Sequence, residues 1–239
     1  MKIQTVYLCD GIRTPFGKYK GGLSAIRTDD LAALPLTFLF NKYPAIASAT
    51  DEVILGCANQ SGEDNRNVAR MACLLAGLPV ETPAYTVNRL CASGLEAIGQ
   101  GARAIALSEA ELIIAGGVES MSRAPYVMAK ALDGFDRGQQ LEDTTLGWRM
   151  INPKMRERYG VDSMAQTAEN LAQLFSISRQ DQDAFAYRSQ QRAAFAINEG
   201  FLAAEIMPAG SLLIDEQPRS DTTLEKLSSL KSITGEIGS

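Results

Sequence analysis

The chain contains 239 residues, of which 46% are hydrophobic and 21% charged, as in ordinary globular proteins with a sizeable core. Its formal net charge of -5 gives no general attraction for nucleic acid or for an anionic membrane surface, because both require a concentrated basic face. The sequence has 0 histidines, which excludes a Cys-His dyad, a Ser-His-Asp triad and a His-ligated metal site formed by this chain alone.

No stretch of the sequence reaches the roughly 18 consecutive apolar residues that a membrane helix needs, and the first residues lack the apolar segment of a signal peptide. We therefore expect a cytoplasmic protein with no membrane or nucleic-acid partner.

The cysteines show no CxxC spacing, so we expect reduced thiols and no metal site; they are Cys9, Cys57, Cys73 and Cys91.

Strands and helices alternate through the first half of the sequence. Apolar runs predict four strands, at residues 3–9, 53–57, 84–88 and 112–117. Apolar periodicity predicts three helices, at residues 31–40 despite Pro35, at 65–78 and at 91–107. The helix at 65–78 shows one apolar face, made of Val68, Met71, Ala72 and Leu75. This alternation, with a fully apolar last strand, is typical of an α/β fold with parallel strands.

The composition changes from about residue 120, where Met, Arg, Asp and Gln become frequent. Helical patterns return at residues 163–175 and 179–199, so we expect a mostly helical second lobe. Ser178 with Asp181 three positions later resembles the start signal of the last helix.

Cys91 lies at a predicted strand-to-helix turn, where a cysteine can become a nucleophile. The thiolate is the attacking form, and unpaired N–H groups at a helix N-terminus favour negative charge. The next three residues, Ala92, Ser93 and Gly94, are small and leave room for a thioester. Position alone nevertheless favours the usual role of a free cysteine, a small buried hydrophobic residue, and we assign that role to the other three cysteines.

Five segments resemble motifs of the thiolase family and occur in the family's order: residues 13–17 (RTPFG), 88–95 (NRLCASGL), 116–122 (GGVESMS), 164–170 (MAQTAEN) and 178–183 (SRQDQD). The chain is therefore identified as a member of that family. The resemblance implies an α/β fold with a thiolase-like βαβαβαβ core, a mixed five-stranded sheet between helices, and a mostly helical inserted loop domain. It implies a core domain at residues 1–119 without its last strand, a CoA-binding lobe at 120–239, and no C-terminal thiolase domain.

The resemblance also implies a reaction, the CoA-dependent cleavage of a 3-oxoacyl-CoA. Cys91 would attack the ketone carbon, acetyl-CoA would leave, and the acyl group would pass from Cys91 to free CoA. Residues 143–148 and 159–164 resemble the branch that cleaves 3-oxoadipyl-CoA to succinyl-CoA and acetyl-CoA. The implied partners are acyl-CoA and CoA as substrates, with no permanently bound cofactor, in a homodimer or homotetramer.

Three further residues align with CoA-binding positions of the family. Arg219 would lie beside the adenine and phosphate groups, and Ser163 and Met164 would line the pantetheine arm. Arg219 and Met164 each have an ordinary alternative, since a loop arginine is usually solvated and a methionine often fills a core.

Other motif residues are given structural roles. We expect Asn88 to bond the backbone of the Cys91 turn, Glu119 to anchor the loop after the last predicted strand, and Arg13 to brace the core. We expect Gly116 and Gly117 to allow close packing, since no phosphate-loop motif accompanies them.

The family's two acid/base groups are a His in a Gly-His-Pro motif and a second Cys in a glycine loop, and neither motif occurs in this sequence. We therefore expect this chain alone to show no thiolase turnover. Two alternatives stay open. One is a condensing enzyme of the ketoacyl-synthase type, which would use a malonyl thioester; the other is a non-catalytic fragment that binds full-length partners.

Overall fold

The computed structural model describes residues 3–234 of the chain. Two compact units can be separated: the first reaches Val127 and includes Glu205–Glu216, and the second comprises Met128–Ala204 and the stretch from Gln217 onward. The sequence instead predicts a division after residue 119, with the chain passing from the first unit to the second only once. The physical reason for the difference is the segment 205–216, which returns to the first unit.

Arg13 binds this returning segment. Its guanidinium donates to both carboxylate oxygens of Asp215, at 2.7 and 3.0 Å, and to Glu205 at 2.7 Å. The backbone adds two bonds, because Arg13 N–H donates to Glu205 O at 2.8 Å and Met207 N–H donates to Arg13 O at 2.9 Å. The expectation that Arg13 braces the fold is therefore confirmed.

Eight α-helices lie within residues 3–234: α1 Thr28–Lys42, α2 Pro44–Ala49, α3 Val68–Leu75, α4 Ser93–Ala106, α5 Pro153–Tyr159, α6 Met164–Leu174, α7 Arg179–Asn198 and α8 Leu224–Ser228. The strands in the same range are β1 Glu52–Gly56, β2 Ala84–Val87, β3 Ile113–Gly117, β4 Tyr126–Met128 and β5 Leu141–Asp143. A short 3-10 helix spans Met121–Arg123.

The first unit contains a parallel sheet of three strands in the order β2-β1-β3. Val53 in the central strand pairs with Ala84 on one side and with Ile114 on the other. Parallel neighbours need a crossover, and α3 and α4 supply the two crossovers. The predicted α/β class with parallel strands is confirmed, although the described residues form three parallel strands rather than a mixed five-stranded sheet.

The strand predicted at residues 3–9 does not form. Ile3, Tyr7 and Leu8 expose at least 75% of their surface, and Gln4 N–H donates to Ala106 O at the end of a helix. An apolar run becomes a strand only where a neighbouring strand forms hydrogen bonds with its backbone N–H and C=O groups. In the described part of the chain, no strand lies beside residues 3–9. Cys9 is consequently exposed, so the buried role expected for it is wrong.

The core of the first unit lies between α1, α3 and β1 and is built largely from small and β-branched residues. Helix α1 forms with Pro35 inside it, as expected. Helix α3 turns a different face inward than predicted, because Met71 and Leu75 are exposed. Small side chains let α3 approach closely, and its buried residues are Val68, Ala69, Ala72 and Cys73.

The second unit is mostly helical, with hydroxyl caps on its main helices. Ser163 accepts from Gln166 N–H at 3.1 Å at the start of α6, and Ser178 accepts from Asp181 N–H at 3.2 Å at the start of α7. The start signal predicted at Ser178 is confirmed, and its hydroxyl also donates to the Asp181 carboxylate at 2.7 Å. Among residues 3–234, no helix combines the length and apolar character needed to cross a membrane.

Candidate active site at the Cys91 turn

The turn between β2 and α4 carries an exposed thiol. Strand β2 ends at Val87 and helix α4 begins at Ser93, with Ala92 as its N-cap residue. Cys91 therefore lies two residues before the first helical residue rather than at the helix start predicted from the sequence, and it is exposed. The buried role that its position alone favoured is wrong. The thiol lies instead near the electropositive end of α4.

Leu90 gives this turn its sharp bend. Its φ is 49°, in the left-handed region that residues other than glycine seldom occupy. Its side chain is 70% exposed, so apolar burial contributes little to holding this conformation. The stabilising contacts are hydrogen bonds to the backbone on either side.

Ser93 supplies two of these bonds. Its buried hydroxyl accepts from Arg89 N–H at 2.8 Å and donates to Leu90 O at 2.6 Å. Its own N–H also donates to Leu90 O, at 3.0 Å. The sequence predicts only that Ser93 is small and does not predict this bonding role; its position two residues after Cys91 is the available signal.

Asn88 supports the same turn from the other side. Its carboxamide oxygen accepts from Leu90 N–H at 2.9 Å, and its amide nitrogen donates to Ala58 O at 3.0 Å. The predicted structural role of Asn88 is confirmed. The Cys91 turn is thereby linked to the loop that follows the central strand β1.

Two glycines make close backbone contacts at the end of the sheet, Gly56 with the start of α4 and Gly117 with Gly56. A Cβ on Gly56 would lie 2.5 Å from Gly94 N and would clash with the carbonyl carbon of Ser93. A Cβ on Gly117 would lie 2.9 Å from Gly56 O. Only hydrogen atoms fit at both positions, so the close-packing role expected for Gly117 is confirmed.

Glu119 fixes the loop after β1 rather than the loop after its own strand. Its carboxylate accepts from Ala58 N–H at 2.8 Å and from Asn59 N–H at 3.2 Å.

Together with Cys57 and Asp64, Glu119 forms a group whose potential metal-ligand atoms lie within 4.8 Å of one another. The role of the group is explained by loop bonding, because Asp64 also accepts backbone N–H groups, from Gly62 at 2.8 Å and Gln60 at 3.2 Å.

The four cysteines differ in accessibility. All are free thiols; Cys57 and Cys73 are buried, whereas Cys9 and Cys91 are exposed. Burial raises the pKa of Cys57 to about 12 and that of Cys73 to about 11. Neither buried thiol is thus suited to ionise near neutral pH, which leaves Cys9 and Cys91 as the accessible thiols.

A charged group flanks the turn. Glu96, in the first turn of α4, pairs with Arg89 at 3.1 Å and with Arg103 at 3.4 Å. Arg89 is the cation nearest to Cys91 along the sequence, and its side chain is largely exposed. Its charge is partly offset by Glu96, so the pair braces the turn more than it creates an anion site.

The other predicted site residues all belong to the second unit. Ser163 is the N-cap of α6, and Met164, the first residue of that helix, is 80% exposed. Arg219 is exposed in a loop, and its backbone N–H donates to Gln190 Oε1 at 2.7 Å. Met164 is not core filler, and the Arg219 side chain is available on the surface.

Comparison with known families decides the classification. The model of the thiolase N-terminal domain matches residues 6–239. The chain belongs to the thiolase family. A beta-ketoadipyl-CoA thiolase of Pseudomonas aeruginosa is 61% identical over 239 residues, covering 96% of this chain and 60% of that relative. A 3-oxoadipyl-CoA/3-oxo-5,6-dehydrosuberyl-CoA thiolase of Escherichia coli is 55% identical over 240 residues, covering 96% of this chain and 60% of that relative.

Solved thiolase structures have the same fold. Human mitochondrial 3-ketoacyl-CoA thiolase in complex with CoA superposes with a TM-score of 0.82 at 35% identity, covering 94% of this chain and 57% of that one. The acetyl-CoA acetyltransferase of Bacillus anthracis also gives 0.82, at 33% identity, with 94% and 58% covered. This thiolase chain spans about 60% of the length of the curated relatives that it matches.

Proposed function

We propose that Cys91 is the acyl-accepting nucleophile of a thiolase that cleaves 3-oxoadipyl-CoA. The observation that carries this proposal is an exposed thiol on a sharply bent turn near the N-terminus of α4, in a chain of the thiolase family. The names of the Pseudomonas aeruginosa and Escherichia coli relatives support the substrate.

The proposed reaction has two acyl transfers. The Cys91 sulfur attacks the ketone carbon of 3-oxoadipyl-CoA. The bond then breaks between that carbon and the CH2 group that joins it to the CoA thioester. The leaving enolate takes up a proton and becomes acetyl-CoA, while a succinyl group stays on Cys91. The thiol of free CoA then attacks the succinyl thioester, which releases succinyl-CoA and returns the sulfur to its starting state.

The turn contributes electrostatics and access to this reaction. Negative charge develops on the sulfur before attack and on the substrate oxygen after it, and the N–H groups at a helix N-terminus favour both. Because Cys91 is followed by Ala92 and Ser93, no large side chain blocks the approach of a thioester from that side. Acid/base groups are also required, and we assign them to the part of the relatives that this chain does not match.

For CoA, we propose contacts with the second unit. Arg219 is exposed and could pair with a phosphate or stack on adenine, and the exposed Met164 could pack on the pantetheine arm. Ser163 has its hydroxyl engaged as a helix cap, so its proposed contribution is to shape that surface. A homo-oligomeric assembly and a cytosolic location, consistent with four free thiols, complete the proposal.

The condensing-enzyme alternative gains no support, since the matching family model and the relatives are thiolases.

A fusion protein tests the preferred function. It joins this chain to the region of the Pseudomonas aeruginosa relative beyond the matched part, and thiolysis of 3-oxoadipyl-CoA is followed by acetyl-CoA release. The chain alone should be inactive and the fusion protein active.

Two matched variants of the fusion protein identify the nucleophile. Cys91→Ala should abolish thiolysis, whereas Cys9→Ala, which removes the other exposed thiol, should leave it unchanged. Full activity in Cys91→Ala, or robust thiolysis by the unfused and mass-verified chain, would contradict the proposal.

A further inference from the structure

We propose that Ser93 is a positioning residue for Cys91, acting through the backbone of Leu90. This inference deepens the proposed function and rests on it, since it explains how the nucleophile is held. The Ser93 hydroxyl bonds to the bent residue and to the residue before it, accepting from Arg89 N–H at 2.8 Å and donating to Leu90 O at 2.6 Å.

The backbone of Leu90 needs this support. A left-handed conformation costs a non-glycine residue roughly 1 kcal/mol or more. Leu90 has φ of 49°, and its side chain is 70% exposed, so packing does not compensate for that cost. The Ser93 hydroxyl and the Asn88 carboxamide are the side chains that bond its backbone, at Leu90 O and Leu90 N respectively.

The hydroxyl does not serve as an ordinary helix cap. A capping hydroxyl belongs to the N-cap residue and accepts from N–H groups two or three positions later in the chain. Ser93 is instead the first helical residue, the N-cap is Ala92, and the hydroxyl bonds backward to residues 89 and 90. Its bonds therefore act on the turn that carries Cys91.

The position of Ser93 is itself fixed by the sheet. Gly56, at the end of β1, approaches the Ser93 backbone so closely that a Cβ there would clash with the Ser93 carbonyl carbon. Ser93 is also only 5% exposed. Replacing the hydroxyl by hydrogen leaves this backbone contact in place, so Ser93→Ala removes the two hydroxyl bonds to the turn and keeps the bond from Ser93 N–H to Leu90 O.

Alkylation of this chain by iodoacetamide tests the inference, with each cysteine quantified by peptide mass spectrometry. Cys9 is an exposed internal reference, and the buried Cys57 and Cys73 report any loss of folding. The hydroxyl bonds to Arg89 and Leu90 hold the bent turn that keeps Cys91 exposed two residues before α4. We expect Ser93→Ala to lower the Cys91-to-Cys9 rate ratio about fivefold, because Leu90 O keeps its bond from Ser93 N–H and the net loss is that of about one hydrogen bond.

Two comparisons make the result specific. Ser93→Thr keeps the hydroxyl and should restore most of the ratio, and Ser228→Ala, which removes an exposed hydroxyl bonded to Glu225 O, should leave it unchanged. The inference would be overturned if Ser93→Ala left the Cys91-to-Cys9 ratio unchanged, or if Ser93→Thr lowered it as much as Ser93→Ala does. Labelling of Cys57 and Cys73 in Ser93→Ala would also overturn it. The assay needs no turnover, so its outcome is separate from that of the thiolysis test.

Discussion

Gly56 at the end of β1 and Ser93 at the start of α4 are in direct backbone contact, with no space for a side-chain carbon between them. A Cβ on Gly56 would also lie 2.5 Å from Gly94 N. The contact joins the central strand to the helix that follows Cys91. The position of the thiol therefore depends on a residue 35 positions earlier in the chain.

Gly56→Ala should shift α4 away from the sheet and destabilise the first unit. Forcing a methyl group into a packed backbone contact costs about 1–3 kcal/mol, and urea unfolding followed by circular dichroism would measure the loss. Gly11→Ala is the matched control, because a Cβ on Gly11 meets nothing within 4 Å. If Gly56→Ala were as stable as the wild type, the contact between Gly56 and Ser93 would not limit the size of the residue at position 56.

Asp215→Asn should weaken the attachment of residues 205–216 to the first unit. The bidentate bond from Arg13 is partly buried, with 8% of the Asp215 side chain exposed. Its loss should lower the free energy of unfolding by about 1–3 kcal/mol at neutral pH, as for other charge-assisted bonds. Asp221→Asn, which breaks an exposed pair with Lys226, should cost about 0.5 kcal/mol or less.

The effect of Asp215→Asn should also depend on pH. The bond from Arg13 holds the pKa of Asp215 below its ordinary value of 3.8 in the folded chain. A lowered pKa stabilises the fold above the unfolded-state pKa, and this contribution is lost as the pH falls through the folded-state pKa. Urea titrations at decreasing pH should show the free energies of unfolding of wild type and variant converging below about pH 4. A difference that stays constant with pH would exclude the ionised Arg13–Asp215 pair as the source of the lost stability.

Thiol labelling of the folded chain should separate the cysteines into two classes. Cys9 and Cys91 should react with iodoacetamide at pH 8, whereas Cys57 and Cys73 should not, since burial blocks access and raises their pKa to about 12 and about 11. In denaturing urea all four should react at similar rates. Rapid labelling of Cys57 in the folded chain would contradict its burial in the core of the first unit.

Much of the parallel sheet and its crossover helices could be predicted from the sequence, because each element carries its own apolar pattern. Strand β1 has a run of buried residues, and the bounds of β2, β3, α6 and α7 lie within about two residues of the predicted ones. Thiolase membership could also be predicted, from five motifs in order, and the family match confirms it.

The errors concern features that depend on distant partners. Residues 3–9 have the pattern of a strand but no neighbouring strand in the described part of the chain, and Cys9 is exposed as a result. The face of α3 was assigned to large side chains, yet the helix packs through Ala69 and Cys73 because these let it approach its neighbours closely. The return of 205–216 depends on an ion pair 202 positions apart in sequence, between Arg13 and Asp215.

At the candidate site, the sequence indicated the thiol, its turn and the supporting role of Asn88, but not the contributions of Leu90, Ser93 and Gly56. The left-handed backbone of Leu90 has no signal in its residue type, since leucine does not favour it. The roles of Ser93 and Gly56 likewise follow from distances that only the folded chain provides.

The most direct test of the central claim is the identity of the acylated residue. The fusion protein would be mixed with 3-oxoadipyl-CoA in the absence of free CoA, quenched in acid and digested for peptide mass spectrometry. We expect a succinyl group on the peptide that contains Cys91, formed together with acetyl-CoA. Release of acetyl-CoA with Cys91 unmodified, or a succinyl group on Cys9 instead, would contradict the assignment of Cys91 as the nucleophile.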